Sequence, residues 1–174
     1  MTYCEFVRSG KAHPVHVHYH DHVYGFPVTS DDMLFERLVL EINQAGLSWE
    51  TILKKQDGFR AAYDGFAIAK VAAYAESDIA RLLTDPGIIR NRLKVRAAVT
   101  NAQKILEIQA THGSFKAWLD AHHALPQQDK AAWVALFKKT FTFTGGEIVG
   151  EFLMSCGYLP GAHDPDCRRQ PSGC

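Results

Sequence analysis

The chain carries no net charge: 19 Lys and Arg balance 19 Asp and Glu, with nine His besides, over 174 residues. A nucleic-acid function therefore cannot rest on overall charge and would need a local basic patch. No apolar run approaches the ~20 residues that a membrane-spanning helix requires. The opening residues, with Tyr3, Cys4, Glu5 and Phe6, lack the basic and then apolar layout of a secretory signal, so a cytoplasmic location is the expectation. Cysteine is scarce, at positions 4, 156, 167 and 174. In a cytoplasmic chain that usage points to metal ligands or free thiols rather than disulfides. Internal repeats, low-complexity linkers and boundary-like composition are also missing. What is present, 47% hydrophobic and 22% charged residues, suits one globular domain over residues 1–174.

Helical periodicity dominates what remains. Residues 30–45 start at a Ser30/Asp31 cap and carry Leu34, Phe35, Leu38, Val39, Ile42 and Ala45 along one stripe, stopped by Gly46. Ser48 reads as the cap of a helix through Lys55, and further helices are expected at 67–75, after Ser77, and at 90–109, 114–123, 130–139 and 146–156. Strand signals are confined to 141–143 and an alternation at 15–20. The fold class is all-α, and the Pro-, Gly- and Asp-rich tail after Pro160 needs something to tie it down.

Three constellations can carry chemistry. His163 and Cys167, in H-x3-C spacing, lie at one end of the chain. Cys4 and a tract of His13, His16, His18, His20 and His22 lie at the other. Thiolate and imidazole ligands, four in all, suit tetrahedral Zn²⁺, but four of those histidines compete for one position, and a chance cluster on a solvated face fits the spacing equally. The second is Asp85-Pro86-Gly87 between two helices, followed by Arg90, Arg92, Lys94 and Arg96. A tight hairpin with free backbone N–H groups can grip a phosphate, and so can an ordinary helix corner be built this way. The third is Glu41, at the edge of the apolar stripe. With Arg37 four residues earlier, the residues alone favour a surface i,i+4 pair over a pocket acid.

Taken in order, these segments resemble the 3-methyladenine DNA glycosylase I family, over nearly the whole chain. Tyr19-His20-Asp21 and Gly25-Phe26-Pro27 resemble its Y-H-D-x-x-W-G-x-P block. Leu40-Glu41-Ile42-Asn43-Gln44-Ala45-Gly46-Leu47-Ser48-Trp49 resembles its L-E-x-x-Q-A-G-L-S-W string, and Gly87-Ile88-Ile89-Arg90-Asn91-Arg92 the G-I-I-R-x-R of its helix-hairpin-helix. The resemblance implies a structural zinc on Cys4, His20, His163 and Cys167. It makes Glu41 the catalytic carboxylate of a base pocket with Phe6, Tyr19, Tyr24 and Trp49. It makes Leu47 a wedge and Gly87, Arg90 and Arg92 DNA contacts. The partner it implies is double-stranded DNA with alkylated bases, met by a monomer with no membrane association. No lysine stands in the pocket motifs, so hydrolysis without strand cleavage is expected. Phe6 and Tyr24 replace family tryptophans and Val23 an acidic residue, which leaves open a retargeted glycosylase or a lesion-binding module.

Overall fold

The computed structural model describes residues 1–169. These form eleven α-helices and no strand: α1 (Tyr3–Arg8), α2 (Pro14–His22), α3 (Asp31–Gln44), α4 (Trp49–Lys54), α5 (Gln56–Ala62), α6 (Ile68–Ala72), α7 (Glu76–Thr84), α8 (Arg92–His112), α9 (Phe115–His123), α10 (Lys130–Thr140) and α11 (Gly146–Ser155), with a 3-10 turn at Asp64–Phe66. Side chains able to accept an orphan N–H set most of the starts. Ser30, Ser48 and Ser114 accept from Met33, Thr51 and Ala117, as the sequence leads one to expect. At α7 the cap lies two residues earlier than Ser77, because the Asp78 carboxylate accepts the Ala75 N–H at 2.9 Å.

Two strand expectations fail for identifiable reasons. Residues 15–20 lie in α2, where Pro14 at the first position pre-sets φ and His13 accepts the Val15 N–H. Their apparent alternation is overridden because a helix buries His16, Tyr19 and His20 together, at i, i+3 and i+4. Residues 141–143 have no partner strand among the described residues. Instead, buried Asn101 accepts the Thr142 N–H at 2.9 Å and donates to the Thr142 carbonyl at 3.0 Å.

α3 is the central element. Leu34, Phe35, Leu38 and Ile42 are buried in a core that continues through α6, α8, α9 and α11. Its acidic first turn caps two other helices: Asp31 accepts from the N–H groups of Phe115 and Lys116 at the start of α9, and Asp32 from Ile68 at the start of α6. The opposite end of α3, carrying Glu41 to Gln44, is thereby aimed at a second, smaller cluster. That cluster gathers Tyr19, Tyr24 and Leu53 with Tyr3 and Trp49, and Trp49 packs against both. α5 is invisible in the sequence because Gly58 and a polar face blur its period. The glycine is there for contact: a Cβ on Gly58 would lie 2.4 Å from the Gly87 carbonyl oxygen.

Candidate active site and metal centre

A cavity of about 880 Å³ opens where the two clusters meet, within the size range of ligand pockets. α1 supplies Tyr3 and Phe6, α2 His16 and Tyr19, α3 Glu41 and Gln44, the loop after α3 Ala45 to Leu47, α4 Trp49, and α11 Glu147 and Glu151. All four aromatic residues expected at a base site are brought together: Tyr19 stands edge-on to Trp49 at 5.3 Å and tilted against Tyr24 at 5.4 Å, with Phe6 on the α1 side. Three glutamates line the cavity and, among the described residues, no lysine or arginine does.

Glu41 is 4% exposed, and its carboxylate has neither a hydrogen bond nor an ion pair among the described residues. Burial first, and the negative charge of Glu151 second, push its carboxyl up to about 8. The surface pair with Arg37 does not form. Arg37 turns away to donate to the Ser155 carbonyl and lies 3.9 Å from the Cys156 sulfur. Ionising Glu41 in this cavity therefore costs more than in water, on the order of 5 kcal/mol.

Cys4, His20, His163 and Cys167 converge, with all four ligand atoms within 4.8 Å of one another. Around the group, Cys4 Sγ lies 3.2 Å from His20 Nε2 and 3.8 Å from His163 Nδ1, and Cys167 Sγ lies 3.7 Å and 3.5 Å from the same nitrogens. Ideal tetrahedral Zn–S and Zn–N bonds place such atoms about 3.3–3.8 Å apart. The outer partners fix the tautomers. His163 Nε2–H donates to the Tyr24 carbonyl at 2.6 Å, and His20 Nδ1–H to Asp21 at 2.8 Å. The inner nitrogens therefore present lone pairs towards two sulfurs, the orientation a metal requires. His20 is thus the member of the tract that reaches the cluster, whereas His16 lines the cavity.

The hairpin between α7 and α8 is docked by Lys55, which donates to the Pro86 carbonyl at 2.8 Å, and by the Gly58–Gly87 contact. Arg90 and Arg92 are exposed without an ion-pair partner among the described residues. The other two basic residues are engaged within the protein. Arg96 pairs with Glu76, and Lys94 is buried, donating to the carbonyls of Asn43 and Ala45 at 2.8 and 2.7 Å. Lys94 thus ties the start of α8 to the loop carrying Leu47, which is 40% exposed at the cavity rim. α8 begins at Arg92, two residues later than its periodicity suggests, because Asn91 caps it.

A family model described as methyladenine glycosylase matches residues 9–170. The chain belongs to that family. Among its relatives, the DNA-3-methyladenine glycosylase 1 of Escherichia coli K12 is 37% identical over 163 residues, covering 84% of this chain and 87% of that protein. The DNA-3-methyladenine glycosylase of Haemophilus influenzae is 33% identical over 169 residues, covering 88% and 91%. Among solved structures, the 3-methyladenine DNA glycosylase I of Staphylococcus aureus, described for its recognition of 3-methyladenine, superposes with a TM-score of 0.86 at 34% identity, covering 99% of this chain and 98% of that one. The all-α methyladenine glycosylase fold is therefore shared. Cys4 and Phe6 precede the span that the family model matches.

Sequence reasoning missed Glu151, Gln44 and the inward turn of Lys94. The signal for Glu151 was available: an acid flanked by Ile148, Val149, Phe152 and Leu153, in the middle of a helix that is otherwise uncharged after Glu147.

Proposed function

We propose that this methyladenine glycosylase excises 3-methyladenine from alkylated double-stranded DNA by hydrolysis. The observation that carries the reading is the buried, unpaired Glu41 in an aromatic cavity whose lining holds three glutamates and, among the described residues, no lysine or arginine. Methylation at N3 makes adenine cationic and a good leaving group. The enzyme must extrude the nucleotide, at a cost of roughly a few kcal/mol, with Leu47 at the rim filling the gap. Phe6, Tyr19, Tyr24 and Trp49 favour a cationic ring by cation–π attraction, worth about 2 kcal/mol when desolvated. Glu41 accepts from the exocyclic amine and holds negative charge where the sugar becomes oxocarbenium-like. The C1′–N9 bond breaks with its electron pair going to N9, so the base leaves neutral. Water adds to C1′ and gives up a proton, leaving an abasic site.

The donor set of Cys4, His20, His163 and Cys167 would hold Zn²⁺. Bound there by four protein ligands, the ion has no open position for substrate and supplies structure rather than chemistry. The work is done in the cytoplasm. None of the described helices is long and apolar enough to cross a membrane.

Gly87, Arg90 and Arg92 set general DNA affinity through phosphate contacts, which carry no sequence information. Arg90→Ala and Arg92→Ala are expected to weaken binding to damaged and undamaged duplex alike and to lower the salt slope by about 0.9 per lost contact. A change confined to the preference between lesions would refute the anchor. The function itself is tested on a methylated duplex. Abasic sites should accumulate in intact strands that break only in alkali, and a duplex without new abasic sites would reject it.

A further inference from the structure

Glu151 has no task in that mechanism, yet it is built into the cavity. It stands on α11, which packs against α3, and its Oε2 accepts the Tyr24 hydroxyl at 3.2 Å. Its other oxygen has no partner among the described residues. Two carboxylates in one apolar, aromatic cavity cannot both ionise without a large penalty. The groups facing the pair relieve it only in part. Among the described residues, Arg37 on α3 is the cation that lowers the Glu41 carboxyl, by less than burial and Glu151 raise it, and its guanidinium is turned to the Ser155 carbonyl. Tyr3, Tyr19 and Tyr24 are held neutral by burial, and so is the Cys156 thiol. Burial also disfavours a charged His16, and the Glu50 beside it is paired with Lys54. Glu147, one turn ahead on α11, adds negative charge at the rim.

We propose that Glu151 is a specificity-determining residue: its negative charge beside Glu41 keeps a proton on Glu41 while no base is bound, and a base enters favourably only if it brings a positive charge to replace that proton. This rests on the reading of the cavity as a base site and adds the basis on which it rejects neutral bases. A cationic base releases the proton to solvent, whereas a neutral purine leaves it in place and forgoes the ion-pair attraction. Fastening Glu151 to Tyr24 keeps the second charge near the aromatic wall and away from solvent.

Two measurements test it. A carboxyl-carbon NMR titration of the empty protein follows Glu41, its signal assigned by its loss in Glu41→Gln. It should titrate near 8 in the wild type and about one pH unit lower in Glu151→Gln, with Glu151→Asp restoring the higher value. Calorimetry at pH 7 then uses 3,9-dimethyladeninium, a fixed cation whose N9 methyl stands for the sugar, in buffers of different ionisation heat. Close to one proton should be released by the wild type and about half a proton or less by Glu151→Gln, while 9-methyladenine releases none. An unmoved Glu41 titration, or equal proton release by both proteins, overturns the proposal. Failure of the cation to bind the wild type would instead reject the base site, leaving the titration to decide on the pair. Glutamine keeps the shape and can still accept from Tyr24, so loss of folding would not explain either result.

Discussion

Glu41→Gln is expected to slow single-turnover excision of 3-methyladenine by roughly 10²–10³-fold, while making the protein more stable at pH 8. The two effects come from the same charge. With its carboxyl raised from the ordinary 4.5 to about 8, the folded chain holds a proton that the unfolded chain loses between those values. The folded state binds more protons throughout that window, so wild-type stability falls as pH rises from about 4.5 to 8 and stays lower above it. Glutamine does not ionise and escapes the loss, and a rise in Tm of at least a few °C is expected at pH 8. Affinity for abasic-site DNA should hardly change, because that ligand has no base to meet Glu41. Arg37→Ala is the structural control: its guanidinium holds the Ser155 carbonyl at the end of α11, so its removal should cost stability. A Glu41→Gln protein that cuts at the wild-type rate, or that loses stability as Arg37→Ala does, would mean that Glu41 is merely structural.

Loss of the metal should have the largest effect on stability. Zinc on four such ligands contributes about 10–16 kcal/mol of apparent binding energy, comparable to the whole net stability of a domain, about 5–15 kcal/mol. An ion on these ligands would be bound only when residues 4 and 20 meet residues 163 and 167, so that energy would belong to the folded state. The cluster also backs the cavity, since His163 bonds the Tyr24 carbonyl and Tyr3 adjoins Cys4. Cys167→Ala is expected to lower zinc from one per chain to well below that and to lower the melting temperature by on the order of 10 °C or more, in parallel. Burial raises the Cys4 thiol to about 11, so binding must expel its proton and chelators should strip the metal more readily at low pH. A metal-free wild-type protein with unchanged melting temperature and full activity would show that the four residues hold no structural ion.

The helical architecture was legible because α3, α8, α9 and α10 carry long apolar stripes with side-chain caps at their ends. α1, α2 and α5 were not, since each is short and its burial is set by tertiary partners: the ring contacts around Tyr3, the convergence on His20, and the backbone of Gly87. The site divides in the same way. Glu41 and Trp49 lie in one long string resembling the family's, and so could be named, but periodicity alone favoured pairing Glu41 with Arg37. Only packing shows Arg37 turned to Ser155. The histidine tract was ambiguous for a similar reason, because a helix presents His16 and His20 to different neighbours and spacing cannot say which. Lys94 was misread as part of a basic face because its sequence neighbours are basic, and burial against the carbonyls of Asn43 and Ala45 decides otherwise.

The most direct measurement is chromatography of the free bases released when the protein is incubated with genomic DNA treated with a methylating agent. The account predicts a peak of 3-methyladenine that grows with wild-type protein, is lost with Glu41→Gln, and comes without a matching release of adenine. Equal release by the two proteins, or no methylated base from the wild type, would contradict it.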